Sequence, residues 1–332
     1  MLSALGRWAH ARACATDPWT NVYGFARSLL AFATLLTLIA SPTNVLFVPA
    51  AGKPDYPQCS EAFDRIGFFC LLPSTQLEVL RWAAIAILLL VASGYRPRIT
   101  GVLHWWIAYS LAANATVVDG GDSVSSILTL LLVPVTLTDD RRWHWQAREA
   151  EPAREAGRRL VALTLLWLIR LQVAGIYFHA GVAKLAVPEW VDGTVLYYIF
   201  GDPLFGPASW LSPLASALTT SPLLPAAAWS VLLLEYLLGA ALMASRSRRG
   251  QLLVLGVLFH LGIILLHGLM SFGLTMMAAL ILFLKPVEQA FGVPRVSWRI
   301  DVARLGAALS SAFRWPGVAG RGLAGRSPSS GQ

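Results

Sequence analysis

The sequence predicts an all-α fold, a polytopic transmembrane helical bundle of about eight spans. Hydrophobic residues make up 56% of the 332 residues, charged residues make up 13%, and the mean hydropathy is +0.60. Soluble domains carry roughly a quarter charged residues. Eight apolar segments are separated by polar turns, and most approach the ~20 residues that a helix needs to cross a bilayer. The length therefore favours one membrane domain.

The first half of the chain contains four of these segments, predicted as spans at 22–47, 76–93, 99–118 and 124–138. Residues 1–21 precede them as a polar N-terminal tail. Pro42 is expected to bend or end the first span, because proline removes a helical hydrogen bond. A basic turn at 94–98 joins the second and third spans, and an acidic turn at 119–123 joins the third and fourth.

The second half contains four more spans, predicted at 160–185, 226–244, 252–266 and 269–284. Residues 186–224 form a long loop rich in Pro, Gly and Trp, in which a short interfacial helix is expected. The membrane domain is thus predicted to cover residues 22–285. Residues 286–332 form a basic tail whose apolar residues recur at helical spacing among arginines. This pattern predicts an interfacial amphipathic helix, with the apolar positions Trp298, Val302, Leu305 and Leu309.

The basic residues predict the topology. Of the 26 Lys and Arg residues, 21 fall in alternate connecting segments and the two terminal regions. Because such residues accumulate on the cytoplasmic side, both termini of this multi-pass cell-membrane protein are expected in the cytoplasm. This distribution explains the basic excess without a nucleic-acid partner, and membrane lipid is the expected contact. The same distribution of basic residues places the acidic turn at 119–123 and the 186–224 loop on the outer side of the membrane.

The fifth span carries polar residues on two faces. Arg170, Tyr177 and Lys184 share one face at about 100° per residue. Gln172 and His179 share the opposite face. Because ionisable groups in hydrocarbon normally face a bundle interior or a wet cavity, this span is predicted to be the central helix.

Several ionisable groups are predicted to gather near the outer leaflet and form a catalytic site. The candidates are Lys184, Asp122, Asp119, His179 and His267. The loop around 189–192 is expected to roof this cavity. The chain has only three lysines, and lysine, unlike arginine, loses its proton readily when desolvated. Two structural alternatives stay open: Lys184 snorkels at a helix end, and Asp122 or Ser123 caps the fourth span.

Two further pairs have structural interpretations. Arg170 and Glu235 each lie about nine residues into a span, from opposite sides, and are predicted to form a buried ion pair near the midplane. His260 and His267 lie seven residues apart on one helix face. A histidine pair without a third ligand is a weak metal signal, so no metal site is assigned.

The cysteines predict one disulfide. Cys59 and Cys70 lie in the segment after the first span, which the topology places outside, where disulfides persist. The alternative is two unrelated thiols. No CxxC or Cys/His spacing typical of zinc is present.

The segment Ala180-Gly181-Val182-Ala183-Lys184-Leu185, followed by 189–193 (EWVDG), resembles the lysine segment of vitamin K-dependent γ-glutamyl carboxylases, within the wider HTTM (horizontally transferred transmembrane) family. The resemblance implies that Lys184 deprotonates a membrane quinone in its quinol form, whose oxidation yields the base that attacks a peptide glutamate. Those enzymes also use a histidine, and an Asn-His pair is expected where this chain has the 119–122 turn.

Further motifs are spread over nearly the whole chain, at 21–27 (NVYGFAR), 93–98 (SGYRPR), 104–106 (HWW), 142–145 (RWHW) and 170–172 (RLQ). Together they resemble the SdpB family. The resemblance implies maturation or modification of a secreted antimicrobial, SdpC-like peptide at the outer membrane face, together with an SdpA-like partner protein. A non-enzymatic export or immunity subunit is the alternative, and a small-solute transporter is a third. An enzyme predicts that Lys184→Arg abolishes function, whereas a scaffold predicts tolerance.

Overall fold

A computed structural model describes residues 2–49, 52, 56–147 and 152–292. In this part of the chain the fold is helical and contains no strand. The α-helices are α1 (Leu2–Ala15), α2 (Asn21–Ala40), α3 (Thr43–Leu46), α4 (Leu77–Ser93), α5 (Pro97–Asn114), α6 (Gly120–Leu137), α7 (Ala156–Leu185), α8 (Pro188–Val191), α9 (Val195–Gly201), α10 (Ser212–Thr219), α11 (Leu224–Gly239), α12 (Arg246–His267) and α13 (Met270–Leu284).

Eight long helices, α2, α4, α5, α6, α7, α11, α12 and α13, coincide with the eight predicted spans, which confirms the polytopic all-α fold. Within the described residues, six helical segments are long and apolar enough to cross a membrane by length and composition, and α5 and α13 are not among them. Helix α2 stops at Ala40, two residues before Pro42. The first span therefore ends at this proline, as predicted. Residues 2–15 form α1 and pack against α7, where the sequence suggested only a polar tail.

The central helix is α13, not α7. Every residue from Thr275 to Leu284 is buried, and α13 contacts α2, α6, α7 and α12. The reason is composition, since α13 is apolar around its whole circumference and suits full burial. Helix α7 packs one side against α1, α6, α11 and α13, while His179 on its other side is exposed. The prediction that two polar faces would place α7 at the centre is therefore wrong.

Glycines bring α7 and α11 close together near the predicted outer end. A methyl group at Gly181 would lie 3.0 Å from the Tyr236 ring, and one at Gly239 would lie 3.2 Å from the Phe178 backbone nitrogen. The two helices run antiparallel at this contact. Their close approach sets the depth at which side chains of α7 meet those of α11.

The connection between α6 and α7 is anchored by His144, which is fully buried. Its Nδ1 accepts from Arg27 Nη1 at 3.3 Å, and its Nε2 lies 3.2 Å from Ser28 Oγ, whose proton goes to Ala92 O. His144 Nε2 is therefore the donor to Ser28. Burial, with Arg27 and Arg141 nearby, lowers the pKa of His144 to about 2, so the ring stays neutral.

Three short helices, α8, α9 and α10, occupy the region between α7 and α11, where one was expected. Cys59 and Cys70 are joined by a disulfide, with Cα atoms 5.9 Å apart. The amphipathic helix predicted around Trp298–Leu309 lies outside the described residues.

Candidate functional site

A cavity of about 660 Å³ lies where α7 ends, bounded by α6, α7, α11, α12, α13 and the α8–α9 segment. We call it the lysine cavity. Its walls are mainly apolar and aromatic, and its polar groups are few. The lining residues that carry polar or aromatic groups are Tyr177, Lys184, Trp190, Tyr198, Asp202, Phe205, Glu235, Phe259, His260, His267 and Phe272. Apolar walls with a few convergent polar groups are typical of a ligand site.

The central feature of the lysine cavity is an ion pair between α7 and α11. Lys184 Nζ lies 2.7 Å from Glu235 Oε1, and it also lies 5.4 Å from the centre of the Trp190 ring. The Glu235 side chain is 7% exposed and that of Lys184 is 25% exposed. A carboxylate at this distance stabilises the ammonium. Lys184 is therefore not an isolated, desolvated base.

The predicted Arg170–Glu235 pair does not form. Arg170 Nε instead donates to Phe283 O at 2.8 Å, and its guanidinium stacks over Trp167. The prediction failed because it assigned depth by counting from helix ends. Helix α7 has 30 residues and α11 has 16, so α7 extends well beyond its neighbour. Glu235 consequently lies level with Lys184.

Two buried polar atoms in the lysine cavity have no hydrogen-bond partner in the described part of the chain. They are the Tyr177 hydroxyl and Glu235 Oε2. Tyr177 is 2% exposed. Buried polar groups are normally satisfied, so each such atom points to a missing partner. A ligand that brings a hydrogen-bond donor to Glu235 Oε2 would supply one.

Both histidines of α12 line the lysine cavity. His260 Nδ1 lies 2.9 Å from Gly256 O, and His267 Nδ1 lies 2.6 Å from Phe205 O. A carbonyl oxygen only accepts, so each Nδ1 carries a proton. Among the described residues, no group of three His, Cys, Asp or Glu side chains could hold a metal ion.

The aspartates of the 119–122 turn do not join Lys184. Asp119 is the N-cap of α6, its Oδ1 accepts from Asp122 N at 3.0 Å, and Asp122 Oδ2 accepts from Asp119 N at 3.1 Å. Ser271 Oγ donates to Asp119 Oδ2 at 2.9 Å. These residues line a different cavity of about 460 Å³. The prediction that Asp122 or Ser123 caps this helix is therefore wrong: Asp119 is the N-cap, and Asp122, three residues later, completes the capping box.

The five candidate catalytic residues therefore separate into three places. Lys184 and His267 line the lysine cavity, Asp119 and Asp122 line the neighbouring one, and His179 is exposed on the far face of α7. The opposite placement of His179 and Lys184 follows from helical spacing and was predicted.

Sequence reasoning missed the role of Tyr177 and the true partner of Lys184. The spacing that put Tyr177 on the Lys184 face was the available signal. On the α8–α9 segment, Asp202 accepts from the backbone N–H groups of Phe205 and Leu204, and these bonds hold its pKa below the usual value. Asp202 also lines the lysine cavity.

Comparison with known proteins assigns the family. The HTTM domain matches residues 125–287. In Bacillus subtilis (strain 168), the uncharacterized protein YitO is 41% identical over 274 residues, which cover 82% of this chain and 87% of YitO. Sporulation-delaying protein SdpB is 38% identical over 274 residues, which cover 82% of this chain and 84% of SdpB. No solved structure matches the chain significantly. The resemblance predicted from the motifs is confirmed, and the chain belongs to the SdpB-like family of HTTM-domain membrane proteins.

Proposed function

We propose that this protein acts in a sporulation-delaying type of toxin system and matures a secreted antimicrobial peptide at the outer membrane face. The lysine cavity carries the proposal, because it places an ion pair and two unpartnered buried polar atoms inside apolar walls. The name of the relative SdpB supports the toxin system. An SdpC-like precursor is the proposed substrate, and an SdpA-like protein is the proposed partner.

Glu235 is the residue best placed to accept a proton from the substrate. Its Oε1 is held by Lys184, while its Oε2 is buried and free within the described residues. In this proposal Lys184 orients the carboxylate and offers positive charge to an anionic group of the substrate. The Tyr177 hydroxyl and the imidazoles of His260 and His267 complete the polar lining.

The same geometry separates this protein from the carboxylase pattern. A lysine that deprotonates a quinol needs to be neutral, whereas the Glu235 carboxylate stabilises the Lys184 ammonium. The expected Asn-His pair is also replaced by the capping aspartates of α6. The residues present do not fit a lysine-driven quinol reaction, and the proposed function requires no quinone.

The test is mass spectrometry of the secreted peptide from cells that express the precursor, the partner and variants of this protein. Glu235→Gln and Lys184→Met should abolish the matured product when its amount is normalised to the amount of folded protein in the membrane. Matched controls are Glu61→Gln, at an exposed glutamate between α3 and α4, and Lys53→Met in the same segment. Matured peptide from Glu235→Gln cells at the normal amount would refute the role of Glu235 as proton acceptor.

The ion pair also favours a second candidate, a non-enzymatic export or immunity subunit, since a paired lysine serves as a binding group without chemistry. In that case the peptide secreted with and without this protein has the same mass. Only its amount, or the survival of the producing cell, would then change.

A further inference from the structure

One side of α7 points away from the bundle and carries polar residues that the lysine cavity does not use. Gln172 and His179 lie there, about one turn to either side of Gly175, and this side is opposite to Lys184 at about 100° per residue. Gly175 and His179 are exposed, and Gln172 is half-buried. Neither Gln172 nor His179 makes a hydrogen bond with the described part of the chain. We call this surface the lateral face of α7.

The Gln172 amide lies at the depth of the bilayer hydrocarbon. Helix α7 has 30 residues, so it is about 45 Å long, whereas the hydrocarbon core is about 30 Å thick. At most about 15 Å of the helix therefore protrudes from the core. Gln172 is at least 13 residues from either end, or about 20 Å, and stays inside the core whichever end protrudes. A polar side chain that faces lipid is costly, and in membrane bundles such groups form hydrogen bonds across helices.

The lateral face also has the spacing of a helix–helix contact. Six exposed residues follow one another at alternating intervals of four and three positions, and they are Thr164, Leu168, Leu171, Gly175, Phe178 and Val182. This repeat is that of the a and d positions in a left-handed helix pair. A methyl group at Gly175 would meet no atom within 4 Å. Nothing in the described fold therefore requires a glycine here, whereas a second helix does, because small residues let two membrane helices approach closely.

The chemistry of the lateral face complements itself. It carries no Lys, Arg, Asp or Glu, so two copies approach without charge repulsion. Two copies inserted the same way pack their α7 helices in parallel, and a two-fold axis brings each residue opposite its own equivalent. A glutamine amide both donates and accepts, as does a neutral imidazole, so equivalent Gln172 and His179 side chains satisfy each other.

We propose that this protein forms a parallel homodimer through the lateral face of α7, with Gly175 at the helix crossing and Gln172 bonded to its equivalent. Lys184 lies on the opposite side of the same helix, so both lysine cavities stay free in the dimer. The dimer is therefore independent of the function proposed for that cavity.

The experiment measures association of the purified full-length protein in phosphatidylcholine vesicles. Donor and acceptor dyes are attached to separate samples at Cys14, the free cysteine of the described residues. Energy transfer between copies, recorded over a range of protein-to-lipid ratios, gives the dimerisation constant. We expect transfer above the level of random proximity, and an excess of unlabelled protein should remove it.

Two variants test the face. Gly175→Leu, whose side chain has room in the monomer but separates the two helices, should abolish energy transfer. Gln172→Leu should weaken dimerisation by about threefold to thirtyfold, the range for one hydrogen bond between membrane helices. The matched controls are Gly262→Leu and Gln251→Leu on α12, outside the lateral face. Gly262 likewise has no atom within 4 Å of an added methyl group, and Gln251 is exposed.

Cysteine crosslinking in intact cell membranes gives a second measurement, in a Cys14→Ser background. Gly175→Cys should crosslink two copies on oxidation, because a disulfide forms only when the Cα atoms lie within about 7 Å, and Gly262→Cys should not. The proposal is overturned if the protein is monomeric at every protein-to-lipid ratio, or if Gly175→Leu dimerises as the wild type does. Crosslinking of Gly175→Cys to a different polypeptide, and not to a second copy, would also overturn it and would assign the lateral face to another protein.

Discussion

The Lys184–Glu235 pair allows a quantitative test that separates its structural role from its proposed chemical one. The perturbations are Lys184→Met, Glu235→Gln and the double variant. Each single variant leaves one charge without its partner in an apolar cavity. The double variant removes both charges and leaves two neutral side chains of similar length.

The magnitude follows from burial. Removing one partner of a fully buried pair costs about 3–5 kcal/mol, whereas an exposed pair contributes about 0–1 kcal/mol. Glu235 is nearly buried and Lys184 is a quarter exposed. We therefore expect each single variant to lose about 2–3 kcal/mol of unfolding free energy, between those limits. The double variant should lose only about 1 kcal/mol, because no unpaired charge is left.

Denaturant unfolding in detergent micelles, followed by circular dichroism, measures these free energies. The interaction energy of the double-mutant cycle, the sum of the two single losses minus the loss in the double variant, should be about 3–5 kcal/mol. Additive losses in the cycle would refute a direct pair in the folded protein. Peptide maturation, measured on the same variants, should stay abolished in the double variant although its stability returns. Recovery of both properties together would show that the pair only supports the fold.

Three other predictions concern residues outside the lysine cavity: His144, Asp119 and the cysteines. First, lowering the pH from 7 to 5 should destabilise the protein, because His144 stays neutral when folded and takes a proton below its ordinary pKa of 6.5 when unfolded. The contribution is about 1.4 kcal/mol per pH unit below that value, and an unchanged slope in His144→Gln would contradict it. Second, Asp119→Ala should cost about 1–2 kcal/mol in denaturant unfolding, since α6 loses its cap and Ser271 loses its acceptor, while the exposed control Asp192→Ala should cost less. Third, alkylation without reductant should label only Cys14, and labelling of Cys59 or Cys70 would disprove the disulfide.

The helices were predictable from the sequence because a span requires a long apolar run, and such runs are visible without tertiary information. Their arrangement was not. Helix α13 is apolar around its whole circumference, which suits burial, but this composition alone does not say which helices will surround it. Its burial depends on the four helices around it, which only packing decides.

The site was predicted in part. Lys184 was identified from its motif and His267 from topology, and both line the lysine cavity. Glu235 was correctly predicted to be buried in an ion pair, but Arg170 was predicted as its partner instead of Lys184. Pairing depends on the relative depth of α7 and α11, and this is set by the contacts of Gly181 with Tyr236 and Gly239 with Phe178. Counting residues from helix ends cannot supply that depth when the helices differ in length.

This geometry also changes how substitutions at Lys184 should be interpreted. Lys184→Arg appeared from the sequence to distinguish an enzyme, which needs a lysine base, from a scaffold, which needs only charge. In the structure, however, Lys184 binds one oxygen of Glu235 and leaves the other free. Arginine presents a planar fork that engages both oxygens of a carboxylate. It would occupy Oε2 as well, and block either proton transfer or ligand binding there. Loss of function in Lys184→Arg is therefore compatible with both functions, and the mass of the secreted peptide, which changes only if the protein modifies it, distinguishes them.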